Sequence, residues 1–137
     1  MGQLSFSVTP DGDGVWQVHA HLETETFSGR GWSWGSPESF SDFADQLSAY
    51  PIRADEPPRL QLAYGMGDGD DLRLAVEVRP VGSLGTLEVR VEIADPDDPS
   101  CRLKAKLMTS YAAIDRLVPQ LRSLAAGARK DAVLTSG

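Results

Sequence analysis

The sequence predicts an α+β domain: an antiparallel sheet of about seven strands, built as two strands-then-helix halves, with two helices packed on one face. Two observations carry this. Apolar and polar residues alternate through most of the chain, and the period changes to that of an amphipathic helix only twice. Alternation this regular puts one sheet face in the core and one in water, which is the habit of antiparallel sheets. The 137 residues fit one domain, and 41% hydrophobic with 24% charged residues is a globular composition, not a disordered one.

The elements follow in order. Leu4, Phe6 and Val8 alternate with Ser5, Ser7 and Thr9 up to the turn Asp11-Gly12-Asp13-Gly14. Trp16, Val18, Ala20 and Leu22 then alternate with Gln17, His19, His21 and Glu23. A third strand over about 26–34 puts Trp32 and Trp34 on one face, where packing under a helix against Phe40 and Phe43 is expected. Gly29 and Gly31 take the other face, where missing side chains permit a close backbone approach. Ser36 then reads as an N-cap, with Pro37 at the first helical position. Phe40, Phe43, Ala44, Leu47 and Tyr50 follow at helical spacing until Pro51, so a helix is predicted over about 37–49.

Four more strands are predicted over about 59–64, 72–79, 84–94 and 102–108. Leu72, Leu74, Val76 and Val78 point one way, and Arg73, Glu77 and Arg79 the other. Leu87, Val89, Val91 and Ile93 oppose Glu88, Arg90 and Glu92, and Leu103, Ala105 and Leu107 oppose Arg102, Lys104 and Lys106. Charge complementarity sets a register with Arg79 opposite Glu88, Glu77 opposite Arg90 and Val78 opposite Val89. A second helix, about 110–125, turns Ile114, Leu117, Val118, Leu121 and Leu124 inward, and Pro119 should kink or locally unwind it. The domain is therefore placed at 1–126, with 127–137 a patternless, flexible tail. Aligning Ser36 with Ser110 superposes Phe40 on Ile114, Phe43 on Leu117, Gln46 on Gln120 and Leu47 on Leu121, so the two halves read as a repeat.

The stretch Gly29–Pro51 with its two tryptophans, the helix SPESFSDFADQLSAYP and the later hairpin LRLAVEVRPVGSLGTLEVRVEI resemble a family of small bacterial proteins suggested to be immunity-like partners of toxins. The resemblance rests on core positions. It implies a protein-binding role and transfers no site residue.

The net charge of -7 opposes nucleic-acid binding. Cys101 is the single cysteine, which rules out an intramolecular disulfide and suits a reducing compartment. The start MGQLSFSVTP does not read as a signal peptide, and no apolar run approaches the roughly 18 residues of a membrane span, so a cytoplasmic protein is expected. No motif calls for a cofactor and no catalytic residue is assigned. Cys101 is expected to be a partly buried thiol.

Three functional readings come from the residues. The first is a non-enzymatic domain that binds a protein, with a basic partner drawn to a rim of Asp68, Asp70, Asp71, Asp95, Asp97 and Asp98. These aspartates fall in two turns that a four-strand meander would open at one end of the sheet. The second is a small metal-dependent enzyme using His19, His21 and Glu23, which alternate along one strand and so share a face. The third is a homodimer joined through an open sheet face or edge. Of the core positions, Leu47 tests the helix phase most directly. Leu47→Ala should cost about 2–5 kcal/mol in chemical denaturation. A loss within about 0.5 kcal/mol would place Leu47 in water.

Overall fold

A computed structural model describes residues 2–10, 14–63, 72–95, 97–98 and 100–136. In chain order the elements are β1 (Gln3–Pro10), β2 (Trp16–Glu23), β3 (Ser28–Gly35), α1 (Pro37–Ser48), β4 (Arg59–Ala63), β5 (Leu72–Val81), β6 (Thr86–Ala94), β7 (Arg102–Ser110), α2 (Tyr111–Ala125) and β8 (Asp131–Thr135). The class is α+β and every strand pairing is antiparallel. The strands divide into two sheets, ordered β3-β2-β1-β8 and β4-β5-β6-β7, where the sequence predicted one sheet of about seven.

The division is made at β3. Its inner face is Gly29, Gly31, Ser33 and Gly35, and the second sheet comes down onto that bare strip. A Cβ on Gly31 would lie 2.6 Å from Ile93 Cγ2 and 2.8 Å from the Ala94 carbonyl oxygen; one on Gly29 would lie 2.7 Å from Leu103 Cδ2. The expected close approach is thus made by the protein's own second sheet. Trp32 and Trp34 share a face, as predicted, but it is the outer one, where both are half-buried. The aromatic packing under α1 is supplied from β1 and β2 instead. Phe40 meets Phe6 edge-on at 5.9 Å between ring centroids and Trp16 at 6.3 Å.

The repeat read from the helices extends through the chain as two β-β-β-α-β halves. Each half gives its last strand to the other: β4 pairs with β5, and β8 pairs with β1. The inner faces of both sheets and of both helices then form a single core. Phe40, Phe43, Ala44 and Leu47 are buried on α1, and Ile114, Leu117, Leu121 and Leu124 on α2, while Val118 is half-buried.

Equivalent glutamines tie each helix to the strand that follows it. Gln46 Oε1 accepts from the Arg59 amide at 2.9 Å, and Gln120 Oε1 accepts from the Val133 amide at 3.0 Å, each thirteen residues on. The helices also hold each other, through Arg122 Nη1 to Asp45 Oδ1 at 2.8 Å and Arg122 Nη2 to Ser48 Oγ at 3.0 Å. α2 runs unbroken past Pro119, whose ring is on the solvent side. On that turn Gln120 Nε2 donates to the Arg116 carbonyl at 3.1 Å.

Two expectations change. Residues 131–135 form a strand where a flexible tail was predicted, with Ala132 and Leu134 fully buried beside β1. The alternation in DAVLT is too short to stand out by itself, and pairing with β1 supplies the order. Leu72 leaves the inner face because the register slips at the start of β5: Leu62 faces Leu74, but Ala63 faces Leu72, so one step on β4 spans two on β5. The hairpin register holds as predicted, with Arg79 opposite Glu88, Val78 opposite Val89 and Glu77 opposite Arg90. If β8 is part of the core, Leu134→Ala should cost about 2–5 kcal/mol in urea denaturation. A neutral result would show that the strand adds nothing to the fold.

Candidate functional site

Alternation along the second sheet turns one set of charges outward. β4 contributes Arg59, β5 Glu77 and Arg79, β6 Glu88, Arg90 and Glu92, and β7 Arg102, Lys104 and Lys106. These are six basic and three acidic side chains on one face, in a chain whose net charge is -7. The face is concave. A groove of about 680 Å³ runs over it, with Leu72 and Ala75 among the apolar residues at its base.

Each glutamate of the face is held by at least one guanidinium. Arg79 Nε donates to Glu77 Oε2 at 2.7 Å and Arg59 Nε to Glu77 Oε1 at 2.9 Å. Arg90 Nε donates to Glu88 Oε2 at 2.5 Å, with Lys106 Nζ 3.5 Å from the other oxygen, and Arg102 Nη1 donates to Glu92 Oε2 at 2.6 Å. The bond from Arg79, followed by that from Arg59, holds the Glu77 carboxyl below its ordinary range, against a partial desolvation that pushes it up. Glu88 is lowered in the same way, first by the bond from Arg90. The predicted cross-strand register therefore forms, but the ion pairs run along the strands and to the outer neighbours. Among the described residues Lys104 makes no ion pair.

The outer face of the first sheet carries a second groove of about 680 Å³, lined by His19, His21, Arg30, Trp32, Asp95 and Asp131 among others. His19 and His21 do share a face. The His19 ring lies 6.3 Å from Trp32, Trp32 stands edge-on to Trp34 at 5.2 Å, and His21 Nε2 is 3.3 Å from Ser28 Oγ. Glu23 lies at the exposed end of β2. Among the described residues no group of three or more His, Cys, Asp and Glu side chains comes together as a metal site.

Of the predicted acidic rim, Asp68, Asp70 and Asp71 lie outside the described residues. The β4–β5 and β6–β7 connections do leave the second sheet at the same end, since Leu74 pairs with Ile93 there. Asp95 and Asp98 are engaged in their own turn. Asp95 Oδ1 accepts from the Asp97 amide at 2.8 Å, and Asp98 Oδ1 accepts from the Ser100 amide at 3.1 Å and its hydroxyl at 2.6 Å. The Ser100 bonds hold the Asp98 carboxyl low. Cys101 is exposed, not partly buried, at the end of the same turn. The charge of Asp98 pushes its thiol up, which disfavours the reactive thiolate.

Sequence reasoning named every charge on the basic face except Arg59 as outward, and grouped with them Arg73, which is buried, but drew no site from them. The signal was there: Arg102, Lys104 and Lys106 recur at period two beside Arg90. Asp131 could not be placed because β8 was not foreseen. No family model, curated protein or solved structure matches the chain. Among the described residues no helix is long and apolar enough to cross a membrane.

The pairing of Glu77 has a measurable pH signature. Its folded pKa lies below its unfolded one, so its stabilisation is present above the unfolded value and is lost as pH falls through the folded value. Glu77→Gln should therefore shrink the loss of stability between neutral pH and about pH 3 in urea titrations. Equal losses in parent and variant would show that these ion pairs contribute nothing.

Proposed function

We propose that this is a non-enzymatic protein-binding domain whose docking face is the basic, concave outer face of the second sheet. One observation carries the reading: a surplus of positive charge gathered in a groove on an otherwise acidic chain. With the glutamates held by their own arginines, the remaining positive field points to solvent, and Lys104 and Lys106 stand at its margin. Such a face favours an acidic partner. At ionic strengths near 0.1 M the Debye length is about 10 Å, so a docked segment feels this face more than the net charge of the far side.

The reading is tested with polyglutamate as the probe, followed by amide chemical shifts. Saturable shifts on the outer positions of β4–β7 are expected at about 50 mM salt, weakening at about 300 mM. Lys104→Glu combined with Lys106→Glu should abolish them with the fold intact. If polylysine binds and polyglutamate does not, the basic face is not the docking site.

A further inference from the structure

The hydrogen-bond pattern shows which strand edges are already occupied. Opposite residues of an antiparallel pair alternate between bonded and non-bonded, so one bond sets the phase of a whole strand. On β8 the odd residues turn their backbone away from β1, and Val133 gives its amide to Gln120 while the Thr135 carbonyl accepts from Thr109 Oγ1 at 2.9 Å. On β4 the outward residue Arg59 is bonded at both its amide and its carbonyl by Gln46. A side chain of a neighbouring element thus already bonds part of each of these two outer edges.

β7 differs. The Asp95 amide donates to the Cys101 carbonyl at 2.9 Å, on the same register as the β6–β7 ladder. The bonded positions of β7 are therefore the odd ones, and Lys104, Lys106 and Met108 turn their N–H and C=O away from β6. Among the described residues no hydrogen bond reaches those groups. A groove of about 510 Å³ follows this edge, lined by the consecutive residues Lys104–Met108 and, across from them, by the Thr24–Phe27 turn. Phe27 is 60% exposed and Met108 43% exposed beside it.

We infer that an acidic, extended segment of the partner adds to the second sheet as a fifth strand alongside β7. The inference rests on the proposed basic docking face and specifies how that face is engaged. Backbone groups of Lys104, Lys106 and Met108 would supply the ladder, which is the source of affinity in strand addition, and alternate side chains the selectivity. Directly opposed side chains on adjacent strands lie about 4.5–5.5 Å apart at Cβ, so carboxylates at every second position of the segment fall beside Lys104 and Lys106. The intervening residues face the other side, where an apolar residue can cover Phe27. Charge selects this occupant over a second copy of the chain. Two β7 strands paired edge to edge would bring their lysines together, and like charges across a strand pair are destabilising.

The probe is a short peptide alternating Glu and Val, compared with the same peptide N-methylated at the residues that would face β7. The parent peptide should protect the Lys104, Lys106 and Met108 amides from hydrogen exchange, and N-methylation should weaken binding at least about tenfold. Lys106→Pro should do the same, since a proline is tolerated where an edge N–H faces solvent. Lys106→Gln loses the charge but keeps the N–H, so it should retain part of the affinity and the protection of its own amide. If the N-methylated peptide binds as tightly and these amides stay unprotected, strand addition is overturned while the basic face stands. If neither peptide nor polyglutamate binds, the docking face itself fails and the inference with it. Protection of the same amides in a concentration-dependent dimer, without peptide, would make a second copy the occupant and overturn the proposal.

Discussion

Everything in this fold depends on an exchange of strands between its two halves. Each half runs β-β-β-α-β, but neither keeps its own last strand: β4 completes the sheet of the second half and β8 that of the first. The apolar inner faces meet in one core, so burial of Leu134 beside β1 and of Leu60 and Leu62 beside β5 belongs to the whole chain. Burying such a side chain is worth roughly 1.5–3 kcal/mol, and neither half can claim it alone. Gln46 and Gln120 make the same connection from the helix side.

The halves share this plan but have diverged where they meet. The inner face of β3 is nearly all glycine, while the matching face of β7 carries Leu103, Ala105, Leu107 and Thr109. Glycine lets the second sheet lie against β3 at backbone distance, and the larger residues of β7 fill the space this leaves on their side. The same asymmetry reaches the outer faces. β3 presents Arg30, Trp32 and Trp34 beside the histidines, whereas β7 presents Arg102, Lys104 and Lys106. One architecture thus carries two chemically different grooves.

Net charge is a poor guide to a molecule arranged in this way. At -7 the chain reads as a partner for basic surfaces, yet one sheet face carries twice as many basic as acidic side chains. Ion pairs along the strands do not cancel the surplus. They fix the glutamates in place and leave the lysines at the margin of the face, on β7, one of the two edge strands of that sheet. The acidic turn at residues 95–98 spends two carboxylates on its own backbone, which reduces what it can offer a partner.

Local order was legible along the chain. Alternation located seven strands, helical spacing located both helices, with an N-cap for the first, and the charges of β5 and β6 specified their register, because each of these depends on neighbours along the chain or across one hairpin. The matched Ser36 and Ser110, with Gln46 and Gln120, also showed the repeat. How the halves are joined emerges from long-range pairing. The pairing of β8 with β1 spans nearly the whole chain, and a five-residue strand acquires its order from that distant partner. The inner and outer sides of β3 could not be told apart in the sequence, since tryptophan on one side and glycine on the other fit either assignment. Contact with Ile93 and Leu103 chose between them. The basic face was legible residue by residue, but its concavity and its open edge arise from sheet order and twist, which no local pattern encodes.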